Sequence, residues 1–159
     1  MKVYIAAPFV DPDRAYVRAL KALIEEEGHE VTSRWIGREL PEEAGPLPLQ
    51  SPQDVTERLI GYSTDYLTRE AKDDLADIRA SEVVVLVTSP EGGHGKEVEM
   101  GYALSHGIPI IILGKVFNVF HYLAARVRTP AEALDLLNRL DDQRLKMIKF
   151  PTPPKGGQG

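Results

Sequence analysis

Short unbroken apolar runs alternate along the chain with longer stretches that carry apolar residues on one face only. Lys2 to Ala7 is such a run and predicts a buried strand. Asp13 to Glu27 then places Tyr16, Leu20, Leu23 and Ile24 at helical spacing, and Gly28 stands where a helix stop belongs. Glu30 to Trp35 reads as a second strand. From Gly37 to Pro52 the pattern breaks, with Pro41, Pro46, Pro48 and Pro52 and two glycines, so this stretch is expected to be a mobile loop covering a pocket. Asp54 to Tyr62 is expected to be helical, and from Asp65 to Ala80 Leu67, Ala71, Leu75 and Ile78 again mark a helix. Val83 to Val87 is wholly aliphatic, as in a parallel strand covered on both faces. Glu97 to His106 predicts a short helix ended by Gly107, and Ile108 to Leu113 a further strand. A last helix starts at Thr129-Pro130, a cap followed by proline at the first helical position, and turns Ala133, Leu134, Leu137 and Leu140 inward.

Strands that alternate with helices define a doubly wound α/β fold of flavodoxin-like or Rossmann-like type, here a mainly parallel five-stranded sheet with helices on both faces. One domain over 1–149 is expected, with 150–159, rich in proline and glycine, as a flexible tail. Ligands of such sheets lie beyond the carboxyl ends of the strands, which directs attention to the loops Ala7 to Asp13, Ser89 to Lys96 and Gly114 to Asn118.

Composition removes several chemistries. The 159 residues include no cysteine, so thiolate catalysis and disulfides are excluded. A net charge of -5 without a long basic run argues against a nucleic-acid polymer as partner. Neither a membrane span nor a leader peptide is predicted, which leaves a cytoplasmic location as the expectation. The first loop, Ala6-Ala7-Pro8-Phe9, lacks the glycines of a dinucleotide fingerprint, and Pro90 and Glu97 spoil a phosphate-loop reading of Gly95-Lys96. His29, His94, His106 and His121 have no metal-ligand spacing and read as surface or helix-end residues. No cofactor and no metal are expected.

The segment Glu91-Gly92-Gly93-His94-Gly95-Lys96-Glu97-Val98-Glu99-Met100-Gly101-Tyr102-Ala103 remains. A glycine-rich loop leaves a buried strand and enters a helix whose first turn is expected to hold Glu99, where the helix dipole would favour its ionised form. Glu97 and Glu99 are two apart and point different ways, so at most one faces a pocket. Ordinary capping accounts for a glutamate here equally well. By pattern alone, Asp73-Asp74-Leu75-Ala76-Asp77 reads as a solvated face and Tyr4 as a half-buried strand aromatic.

Taken together, Val3-Tyr4-Ile5-Ala6-Ala7-Pro8-Phe9, Asp73-Asp74-Leu75 through Leu86, and Gly95 through Leu104 with Gly107 resemble the nucleoside 2-deoxyribosyltransferases and the related 2-deoxynucleoside 5′-monophosphate N-hydrolases. The resemblance implies cleavage of an N-glycosidic bond, with Glu99 as the nucleophile that forms a covalent deoxyribosyl-enzyme. It implies that Asp74 contacts and protonates the nucleobase and that the Tyr4 hydroxyl orients Glu99. It also implies small-molecule nucleosides, nucleotides and nucleobases as partners, and a homodimer or higher homo-oligomer. Ala7, Pro8, Phe9, Gly92, Gly93, His94 and Gly95 are the expected substrate-binding loops, and Asn118 lies where the family donates an asparagine across a subunit interface. The sequence departs from the family pattern in a longer loop before Glu99, in which Glu91 and His94 are candidates for the polar residue that precedes the nucleophile. The arginine and serine of the monophosphate hydrolases are missing from the first loop. A non-catalytic nucleotide sensor and a glycohydrolase of ribosyl nucleotides such as NAD are the competing readings.

Overall fold

A computed structural model describes residues 1–8, 11–38, 62–88 and 95–149. The Gly37 to Pro52 loop beyond Arg38, the helix expected before Tyr62, the loop residues Phe9, Glu91, Gly92, Gly93 and His94, and the tail lie outside the described residues.

Five parallel strands form the sheet: β1 (Lys2–Ala6), β2 (Glu30–Val31), β3 (Val83–Val87), β4 (Ile110–Leu113) and β5 (Ala125–Val127), in the order β2-β1-β3-β4-β5. The helices are α1 (Asp11–Glu26), α2 (Thr64–Ala80), α3 (Gly95–Ser105) and α4 (Pro130–Lys149). This is the expected doubly wound fold. Among the described residues no helix is long and apolar enough to cross a membrane.

The central strands are where a parallel sheet demands continuous hydrophobicity: every residue of β3 and of β4 is buried. Helix α1 buries Val17, Leu20 and Ile24 and leaves Tyr16 and Leu23 exposed, so its inward stripe is rotated from the expected one. Gly28 and Gly107 end α1 and α3 at φ 84° and 68°, the left-handed stop that glycine adopts at low cost. The Thr129 hydroxyl accepts the Glu132 N–H at the start of α4, as a cap should.

The second strand stops at Val31 rather than at Trp35, because side chains replace the ladder. Ser33 Oγ accepts the Ile5 N–H at 2.6 Å and the Trp35 indole donates to the Ile5 carbonyl at 3.0 Å, after which Arg34–Gly37 winds into a 3-10 turn. Conversely, β5 has only three residues, two of them exposed at the sheet edge, and offers no apolar run by which to place it.

Where β4 leaves the sheet, Gly114 has φ 120°, and a Cβ there would sit 2.3 Å from Thr88 Oγ1. Gly114→Ala is therefore expected to lower stability by about 1–3 kcal/mol, read as a fall in the thermal unfolding midpoint, without loss of fold.

Candidate active site

The strand order reverses between β1 and β3, and the crevice at such a switch point is where an open α/β sheet binds its ligand. Three elements meet there. Helix α3 packs on β1, β3 and β4, while α2 packs on both α3 and β1. Each brings one of the three residues singled out from the sequence.

Tyr4 lies in the middle of β1, paired with Val84, and is fully buried rather than half-buried, because its strand is central and covered. Its hydroxyl donates to Glu99 Oε1 at 2.8 Å. Burial, and then the negative charge of Glu99, push the phenol well above its ordinary range, so at any working pH it is a donor. Glu99 is half-buried on α3. Burial pushes its carboxyl up to about 7, opposed by the Tyr4 hydrogen bond and by the charge of Lys96 but assisted by Asp74. Asp74, half-buried on α2, is pushed up to about 6, first by burial, with Arg38 opposing and Asp77 and Asp73 assisting. Its Oδ1 is buried and makes no hydrogen bond. An acceptor in that condition is open to a ligand's donor, or to carrying a proton itself.

The helix-dipole expectation for Glu99 fails on position and on magnitude. Helix α3 starts at Gly95, so Glu97 occupies the first turn and Glu99 lies beyond it. Dipole effects fade within one turn, and desolvation dominates what remains. Glu97 and Glu99 do face apart. Glu97 Oε2 accepts from Asn118 Nδ2 at 3.1 Å and lies 3.4 Å from His121 Nε2. Asn118 also caps the 3-10 turn Val119–Leu123 through its Oδ1, so it sits in the Glu97 and His121 cluster and makes no bond to Glu99. His121 is wholly buried in that cluster, and His29 is buried between the N-terminal amine and Asn138, which corrects the surface reading of both. Ala7 is half-buried and Pro8 buried just past β1, and Gly95 begins α3.

The acidic group on α2 is not a solvated face. Asp77 is buried and bound by Arg34 Nε at 2.7 Å; Asp73 lies 3.6 Å from Arg34 and 3.4 Å from Arg38. Arg34, Arg38 and the buried Lys96 are the charged residues missed by sequence reasoning. For Lys96 there was a usable signal: it stands three residues before Glu99 on the same helix, which makes the two neighbours on its surface.

Tyr4→Phe removes the one hydrogen bond to Glu99 that lowers its proton affinity. The carboxyl is expected to titrate higher and turnover at neutral pH to drop roughly tenfold to a hundredfold, the worth of a hydrogen bond to a charged group. A pH series of initial rates checks both.

A doubly wound sheet that brings two carboxyls of raised proton affinity close enough to influence each other, beside its switch point, can offer a small molecule both a proton and a carboxylate. Residues 3–137 match the model of the nucleoside 2-deoxyribosyltransferase family, and the chain belongs to it. Its fold is similar to that of a 2-deoxyribosyltransferase from the psychrotolerant bacterium Bacillus psychrosaccharolyticus, at TM-score 0.65 and 18% identity over 84% of this chain and 90% of that one. It is also similar to the CMP N-glycosidase of Clostridium botulinum, at TM-score 0.51 and 16% identity over 87% and 98%. No curated protein matches the sequence.

Proposed function

We propose that this chain is an N-glycosidase that cleaves 2-deoxynucleosides or their 5′-monophosphates and passes the sugar to another base or to water. A Glu99 carboxylate oxygen bonds to the anomeric carbon as the bond from that carbon to the base nitrogen breaks, and its electron pair leaves with the base. Asp74 gives that nitrogen a proton. In the second half, an acceptor base or water attacks the same carbon, the ester to Glu99 breaks, and Asp74 takes the acceptor's proton. Tyr4 holds Glu99 in one orientation throughout.

The observation that carries this reading is the 2.8 Å bond from a strand tyrosine to Glu99, with Asp74 near enough to raise the proton affinity of both. Family membership and the likeness to a 2-deoxyribosyltransferase support it. Chromatography of products from deoxynucleosides, their monophosphates and matched ribo-compounds, with and without a free acceptor base, tests it. Base release or exchange is expected. A protein that binds nucleotides without releasing base is a sensor, and one that prefers the ribo-compounds acts on a different sugar.

The reading includes a homodimer or larger assembly. Phe117, Val119, Phe120, Tyr122 and Leu123 are 48–75% exposed in one short segment, and Asn118 ties that segment to Glu97 on α3. So much contiguous apolar surface is what a subunit contact uses. Phe120→Asp with Leu123→Asp is expected to yield monomers in sedimentation; an unchanged mass would place the interface elsewhere.

A further inference from the structure

Four carboxylates and two guanidiniums crowd one side of the site, and their pairing is unequal. Arg34, in the 3-10 turn, is taken by Asp77 at 2.7 Å and reaches Asp73 at 3.6 Å. Arg38, at the end of that turn, is bound by Glu70 and lies 3.4 Å from Asp73, but its nearest approach to Asp74 is 3.9 Å, too long for a hydrogen bond. Asp74 is thus the member of the row with a cation near it and none bonded to it, and its buried Oδ1 stays without a hydrogen bond. Arg38 is itself fixed: its N–H donates to the Trp35 carbonyl at 3.2 Å, and its own carbonyl accepts from Arg14 Nη2 at 3.5 Å. The residue belongs to the turn after β2, far in sequence from both carboxyls of the proposed reaction.

We propose that Arg38 is a positioning residue for the base side of the site: held back by Glu70 and Asp73, its guanidinium decides how firmly Asp74 keeps the proton that goes to the leaving base. A guanidinium bonded to Asp74 would leave that carboxyl permanently ionised and useless as an acid. With no cation at all, the buried carboxyl would hold its proton too tightly to return to its starting state after each turnover. The charges around Asp74 are Arg34 and Arg38 from the turn, Glu70, Asp73 and Asp77 from its own helix, and Glu99 from α3, beside the Tyr4 hydroxyl of β1. Of these, Arg38 opposes protonation most. The inference that this matters for catalysis rests on the reading of Asp74 as the acid; the inference that Arg38 governs the Asp74 proton does not.

Carbon-13 NMR of protein labelled at the aspartate carboxyl follows Asp74 directly, with its signal assigned by its absence in Asp74→Asn. In Arg38→Gln the Asp74 midpoint is expected to rise by about one pH unit or more, the effect of losing an opposite charge at this range. Arg38→Lys should keep it near the native value. Glu70→Gln, which frees the guanidinium to approach Asp74, should move the midpoint the other way; disruption of the fold would not give two shifts of opposite sign. An Asp74 midpoint that stays put in Arg38→Gln overturns the proposal. In parallel, the rate profile, whose limbs belong to the Glu99 and Asp74 pair, should shift to higher pH in Arg38→Gln. Shifted NMR midpoints in a protein that releases no base would leave the Arg38 assignment standing and remove the proposed reaction.

Discussion

Glu99→Ala is expected to lower the rate of base release by roughly a thousandfold or more, because it deletes the atom that bonds to the sugar. Glu99→Gln should be nearly as inactive, since an amide neither attacks nor carries the charge that a developing cation needs. The two variants part company in stability. The Glu99 carboxyl is raised from 4.5 to about 7, so its contribution to folding is fully present below about 4.5 and is lost as pH rises through about 7. Above that range the native protein holds a half-buried anion that it would hold more cheaply as a neutral group. Glu99→Gln keeps the shape, accepts the Tyr4 hydrogen bond and carries no charge, so at pH 8 it should be more stable than the native protein by on the order of 2 kcal/mol. At pH 5, where Glu99 is itself protonated, the gain should disappear. Glu99→Ala instead leaves the buried Tyr4 hydroxyl without its acceptor and gains less. Urea unfolding at the two pH values separates these outcomes, and a Glu99→Gln protein with near-native turnover would sink the covalent mechanism.

The fold was legible where one physical requirement dominates a short stretch of chain. A strand covered on both faces must be aliphatic throughout, and Val83 to Val87 is; a helix that turns sharply back toward a sheet needs a left-handed residue, and Gly28 and Gly107 supply it. Legibility failed where a distant partner decides. The chain after Val31 has a strand's composition, but Ser33 and Trp35 spend their polar groups on Ile5 of another strand and release the backbone into a turn. Strand β5 pairs in the sheet with β4 on one side, and three residues at an edge need no signature. In the site, Glu99 was visible through the glycine loop and the helix that follows it, and Tyr4 and Asp74 through a family resemblance. Their electrostatics were not visible. Asp73 to Asp77 looks like a solvated acidic face until Arg34 and Arg38 arrive from some forty positions away and α3 packs on α2. Charge patterns along a chain show which groups are present; only packing shows which of them lose water.

The second large effect concerns the order in which the two carboxyls hold their protons. The mechanism needs Glu99 ionised and Asp74 protonated, and burial raises both carboxyls towards neutrality, so near neutral pH the two share a proton in the free site. The profile of kcat/KM against pH is then expected to be a bell, with limbs near 6 and 7 that belong to the pair rather than to either residue. Substrate sets the order: a ring nitrogen against Asp74 favours its acid form, and a sugar carbon gaining positive charge favours the Glu99 anion. The bell for kcat should accordingly be broader than that for kcat/KM. Asp74→Asn cannot supply the proton, and base release should fall by roughly a hundredfold to ten-thousandfold. It also removes one of the causes that raise Glu99 and leaves Glu99 as the one titrating member of the pair, so the bell should give way to a plateau above a single acid limb. A deoxyriboside whose leaving group needs no proton, such as a nitrophenolate, should lose far less in Asp74→Asn than a nucleoside does. Equal losses on both substrates would show that Asp74 shapes the pocket and transfers no proton, and the acid would then have to be sought elsewhere around the β1 and β3 crevice.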